Sequence, residues 1–301
     1  MIRAATVVVA RPAALGAYVE SLKLRIAVFI GLAALLGYLA TLQGLPAPGP
    51  LVLLFVVMVT AAAGAGALNH YLDRDLDARM RRTAGRPLPS GRIRRPWHLV
   101  ALGTGLVAMA VAVALWTLHP LVALHVFLGA FTYVVVYTVW LKRRSWLNVV
   151  VGGLAGSFAV LGGGALARPE LCLPPLVFAA VLFFWSPSHF WSLAIAYKED
   201  YARARVPMLP AVKGERRAAG SILFNSAGLV LAAALPPVLD LVGWAYAVPT
   251  ALGSVWLVRQ ELALLRAPTD RRRALAAFHA ANLWLLLVFF GVVLDTLLRS
   301  G

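Results

Sequence analysis

Nine times along this chain a run of about 20 apolar residues is closed by a short polar or basic stretch. The runs fall near residues 25–42, 51–72, 98–117, 121–140, 147–166, 173–196, 218–239, 241–258 and 276–298. Each is long enough to cross roughly 30 Å of hydrocarbon as a helix. Lipid satisfies no backbone donor or acceptor, so a spanning segment must be a helix or part of a closed barrel. The alternation a barrel strand needs is absent. The expected fold class is all-α: one polytopic membrane domain of about nine transmembrane helices over residues 1–301. Composition agrees, with 61% hydrophobic and 13% charged residues, against about half and a quarter in soluble domains.

A formal net charge of +16 would suit nucleic acid if the cations formed a basic domain or tail. They lie instead in short loops, so a nucleic-acid partner is not expected, whereas the lipid bilayer and an anionic substrate are. On the nine-span reading, 26 of the 28 lysines and arginines fall on one side, and the other side holds Arg168 and Arg299. The positive-inside rule then places the N-terminus and the basic loops in the cytoplasm and the C-terminus opposite, in a bacterial inner membrane. The first run follows Lys23 and Arg25 and reads as a retained span. Cys172 stands alone, which precludes an intrachain disulfide. The two largest basic loops carry similar elements, Arg86-Pro87-Leu88-Pro89 and Val206-Pro207-Met208-Leu209-Pro210. They suggest two weakly repeated four-helix units plus a final helix, sharing one site.

The chemistry is expected where the second run ends. Asn69, Asp73 and Asp77 are spaced i, i+4 and i+8, and at about 100° per residue they share one helical face. Two carboxylates and an amide are oxygen ligands suited to Mg²⁺, which typically shares them with substrate phosphates. Asp75 points elsewhere. Aspartates can also merely finish a spanning helix in headgroup water, but a helix C-terminus favours cations, so three in five positions favour metal or diphosphate binding. The sixth run closes similarly, with Glu199 and Asp200 as a second acidic pole. Between the poles, Lys142, Arg143 and Arg144 either mark topology or bind phosphate oxygens as a leaving group departs.

At these residues the chain resembles the UbiA-type intramembrane prenyltransferases. The matching elements are Asn69-x-x-x-Asp73-x-x-x-Asp77, Arg82-Thr-x-x-Arg86-Pro87 and Tyr137-Thr-x-x-Leu141-Lys142-Arg143. More narrowly, His189-Phe190-Trp191, Tyr197-Lys-Glu-Asp200-Tyr and Val206-Pro-Met-Leu-Pro210 are similar to the heme O synthase (protoheme IX farnesyltransferase) branch. The resemblance implies Mg²⁺-assisted ionisation of farnesyl diphosphate, attack of the allylic cation on a vinyl group of heme b, and capture of water to give heme o. It implies Asp73, Asp77 and Asp200 as catalytic groups and, with Asn69, as metal ligands. Arg82, Arg86, Lys142, Arg143 and Lys198 become diphosphate contacts, and His189 a heme contact. Phe183, Phe184, Trp185 and Trp191 would wall the cation from water. The chain departs from the family pattern at Leu24 and Ser188, where prolines are usual, and at Ala196, where a basic residue is common. A related enzyme with an aromatic acceptor (a hydroxybenzoate, quinone precursor or chlorin) keeps the same acidic face. A transporter or heme carrier would instead place its ionisable residues near mid-bilayer.

Overall fold

The computed structural model describes residues 15–42 and 44–300. Arg3 and Arg11 of the basic amino-terminal segment, and the final Gly301, lie outside them. Described residues form helices and connecting turns, with no strand among them. A short α1 (Leu15–Ser21) leads into α2 (Leu24–Leu42) and α3 (Pro48–Leu72), and α4 (Arg74–Arg79) follows directly. Next come α5 (Trp97–Val113), which ends in a π-helical turn (Ala114–Leu118), and α6 (Pro120–Phe131), which continues as a π-helix over Thr132–Leu141. The second half contains α7 (Asn148–Gly152), α8 (Leu154–Ala167), α9 (Leu173–Ala196), α10 (Lys198–Arg203) and α11 (Leu209–Lys213). It closes with α12 (Glu215–Val238), α13 (Trp244–Arg266) and α14 (Arg271–Ser300). Prolines stand in the first turn of α3, α6 and α9, where a missing N–H costs nothing.

Eight of the nine expected spans are long and apolar enough to cross a membrane. The ninth, α13, is a helix of 23 residues. It is long enough, yet less hydropathic, because it holds Arg259, Gln260 and Glu261 besides Pro249, Gly253 and Ser254. Large apolar side chains such as Trp116, Phe224 and Leu231 face outward, as lipid-facing surface requires. The spanning helices pack in chain order around a closed bundle, and α14 returns to pack against α2 and α9.

The tightest crossing is between α2 and α8. A Cβ on Gly163 would lie 1.8 Å from the Ala34 carbonyl oxygen, and one on Gly37 would lie 2.0 Å from that of Val160. Backbone therefore meets backbone there, the small-residue packing that membranes favour. We expect Gly163→Val to push the helices apart at a cost of about 3 kcal/mol or more, seen as a lower thermal midpoint in detergent. Gly156→Ala, whose Cβ meets nothing within 4 Å, should keep the wild-type midpoint. An unshifted Gly163→Val protein would mean that the crossing is not needed.

Candidate active site

The three spaced residues lie together at the end of α3, all buried: Asn69, Asp73 and Asp77 are 2%, 1% and 4% exposed. The helix breaks at Asp73, but the i→i+4 pattern runs through the break. The Asp73 N–H donates to the Asn69 carbonyl at 2.9 Å, and the Asp77 N–H to that of Asp73 at 2.8 Å. The face therefore survives, and the restart of the helix puts Asp75 and Asp77 in the first turn of α4, where a carboxylate suits the dipole. Asp75 points outward and pairs with Arg143 at 2.7 Å. That guanidinium holds the Asp75 carboxyl below its usual range, so Arg143 lies beside the buried cluster and not within it.

Each buried group of the face meets a cation. Lys142 pairs with Asp73 Oδ2, and Lys23 donates to Asn69 Oδ1. Arg86 Nη1 reaches both oxygens of Asp77 at 2.9 and 2.8 Å. Asn69 Nδ2 joins the parts, donating to Asp73 Oδ2 at 2.8 Å and to Thr138 Oγ1 at 2.9 Å. Burial alone would lower Lys142, but the Asp73 carboxylate outweighs it and raises the ammonium above its usual value. At Lys23 burial prevails, reinforced by Arg86 and opposed by Asp73, and the amine falls to about 7. The π-helix after α6 sets Thr138 and Lys142 toward α3. Its i→i+5 bonds include Lys142 N–H to the Tyr137 carbonyl at 2.8 Å, a wide-turn geometry enriched at functional sites.

The second acidic segment is tied to the first through its backbone. Asp200 accepts the N–H groups of Arg81 and Arg82 at 3.2 Å each and pairs with Arg203. Burial works to raise its pKa, but those donors hold it below the usual carboxylate range. Val206, Met208 and Leu209 belong to one buried apolar cluster with Leu76, Met80 and Trp191, so the Pro-Met-Leu-Pro element shares a core with α4. The expected set is therefore only partly assembled. Among the described residues, no three His, Cys, Asp or Glu side chains converge as a metal site. Lys198 turns to Glu215 at 2.6 Å. Arg82 lies over the Tyr197 ring at 5.3 Å, as Arg271 does at 5.1 Å. In the first face Asp73 Oδ1 is buried with no hydrogen-bond partner, a carboxylate oxygen of the kind a hard dication takes.

His189 lies in an aromatic nest on α9. Its ring is 4.4 Å from Trp185, 4.5 Å from Phe278 and 5.0 Å from Phe190, and its Nδ1 is buried without a partner. Ser188, in place of the usual proline, bonds to Ser226 at 2.8 Å and accepts from Asn225 at 2.8 Å. The sequence does not single out Lys23 and Arg271 as site residues, and Thr138 stands in the Tyr137-Thr-x-x-Leu141 motif without a role. Lys23 carried the best signal, as the cation just ahead of the first run.

A UbiA prenyltransferase family profile matches residues 30–291. Protoheme IX farnesyltransferases 2 and 1 of Paramagnetospirillum magneticum are each 45% identical to the chain, over 92% of it and 96% and 97% of their own lengths. Among solved structures, a digeranylgeranylglyceryl phosphate synthase superposes with TM-score 0.76 at 17% identity, over 94% of this chain and 98% of that one. A UbiA homolog from Archaeoglobus fulgidus bound to DMAPP and Mg²⁺ superposes with TM-score 0.66 at 15% identity, over 90% and 98%. Profile, relatives and fold agree, and the chain belongs to the UbiA prenyltransferase family.

Proposed function

We propose that the chain transfers a farnesyl group from farnesyl diphosphate to a vinyl group of heme b, giving heme o. The observation that carries the proposal is the buried Asn69–Asp73–Asp77 face ringed by Lys23, Lys142 and Arg86. The names of the relatives support the acceptor, and the DMAPP- and Mg²⁺-bound homolog supports a diphosphate and divalent-metal site. Asn69, Asp73 and Asp77 would hold Mg²⁺ through oxygen, with Asp200 as the second pole; the ion, when bound, neutralises diphosphate charge.

The cations then have a defined task. Lys23, Lys142, Arg82 and Arg86 bind phosphate oxygens, so charge building on the leaving diphosphate is met by positioned donors. The C–O bond breaks with its electron pair leaving on diphosphate. The allylic cation bonds to the terminal vinyl carbon, which leaves positive charge on the carbon beside the porphyrin ring. Water adds there and a proton is released. Phe183, Phe184, Trp185 and Trp191 offer π-faces to the cation and keep water out before capture. His189, whose Nδ1 lacks a partner, is the proposed heme contact. We also place the acidic face and basic loops in the cytoplasm, with the C-terminus opposite.

Membranes containing the protein, given farnesyl diphosphate, Mg²⁺ and heme b, should yield a product heavier than heme b by one farnesyl group and one hydroxyl. A product formed only with an aromatic acceptor would overturn the heme assignment and keep the diphosphate site. Asp73→Asn should lower turnover about 10²–10³-fold while the protein still inserts; normal turnover would remove the metal role. Lys23→Met should weaken farnesyl diphosphate binding roughly 10-fold, the worth of one charge-assisted hydrogen bond, with exposed Arg25→Met as the neutral control. His189→Ala should raise KM for heme b far more than for farnesyl diphosphate. Equal changes in both would end its special role.

A further inference from the structure

Two hollows, neither lined by a residue of the acidic face, share one pair of cations, Lys213 and Arg217. One, of about 480 Å³, is lined by Trp146, Leu209, Lys213, Arg217, Ser221 and Phe224. The other, of about 590 Å³, runs from Lys213 and Arg217 past Arg216 to Pro268 and Thr269. Lys213, Arg216 and Arg217 are exposed, and none has an acidic partner among the described residues. Glu215, the one carboxylate in the second hollow, is engaged by Lys198. That hollow is thus strongly cationic and polar.

The first hollow runs the other way. Arg217, Gly220, Ser221 and Phe224 are spaced i, i+3, i+4 and i+7, so they form one stripe down α12, about 10 Å long. The stripe passes from guanidinium through hydroxyl to an aromatic ring. Nothing lies within 4 Å of a Cβ placed on Gly220, which leaves the groove open there, and Phe224 is 84% exposed. Charge at the end of a spanning helix, a hydroxyl one turn in, and an apolar wall below match the order of parts in a phospholipid. Basic pockets at this depth take anionic headgroups.

We propose that Lys213, Arg217 and the α12 groove form a binding site for one anionic phospholipid, its phosphate on the two cations and its acyl chain along Ser221 and Phe224 against Trp146. The site is separate from the acidic face and does not depend on the proposed reaction. A prenyl diphosphate carries the same chemistry, an anionic head on an apolar tail, so the test must separate the two.

The full chain in detergent would be titrated with phosphatidylglycerol and bound lipid counted by native mass spectrometry. Phosphatidylcholine and farnesyl diphosphate serve as competitors. We expect one phosphatidylglycerol per chain, displaced by neither competitor, with affinity falling roughly 5-fold for each cation lost in Lys213→Gln and Arg217→Gln. Gly220→Leu, which fills the groove without changing charge, should weaken binding as well. Unchanged binding in the charge variants overturns the site. Loss in the charge variants alone reduces it to diffuse surface attraction and overturns the groove. Displacement by farnesyl diphosphate reassigns it to substrate.

Discussion

Asp73 and Asp77 are shut away from water and each is paired with a cation, without which burying the two charges would be costly. The partners come from separate segments: Lys142 from the end of the π-helix, Arg86 from the loop beyond α4, and Lys23, through Asn69, from the turn before α2. Each pair therefore fixes a backbone segment as well as a charge. Removing one partner from a buried pair typically costs about 3–5 kcal/mol, because the other charge stays behind. On the proposed function the same groups exchange partners when substrate arrives. The carboxylates would hold a dication, and the ammonium and guanidinium groups would then be free for phosphate oxygens.

Much of this was legible because membrane insertion writes itself into sequence strongly. Twenty apolar residues admit few conformations in lipid, and the i, i+4, i+8 spacing of Asn69, Asp73 and Asp77 needs only helix geometry to be read. α13 was less legible at its end. The apolar run stops near residue 258, yet the helix continues to Arg266. Glu261 stays inside the bundle, 1% exposed and accepting from Ser226 at 2.7 Å. A buried polar position of that kind has no signature in a hydropathy profile.

The rest depended on contacts between distant segments. Tyr137, Thr138 and Lys142 have ordinary helical spacing, and only the structure reveals the wider turn that aims them at α3. Lys23 takes up a left-handed backbone conformation, φ +52°, at the break between α1 and α2, which no pattern of charge anticipates. The Asp200 carboxylate reads as a free ligand in the sequence, because bonds from the backbone of Arg81 and Arg82 leave no trace in residue type. Similarly, Pro-Met-Leu-Pro marks a family resemblance in sequence, and in space it is part of the apolar cluster that holds Leu76 and Met80.

The return of α14 to α2 sets an order on how the molecule can come into being. A ribosome delivers α2 well before α14, so the ring stays open until α14 has been made. During that time the flank of α2 that α14 will cover has lipid or insertion machinery for a neighbour. His189 waits likewise for Phe278, which α14 supplies. The aromatic nest around His189 is thus completed only once α14 follows α9 out of the ribosome, so its two halves come from separate stages of synthesis.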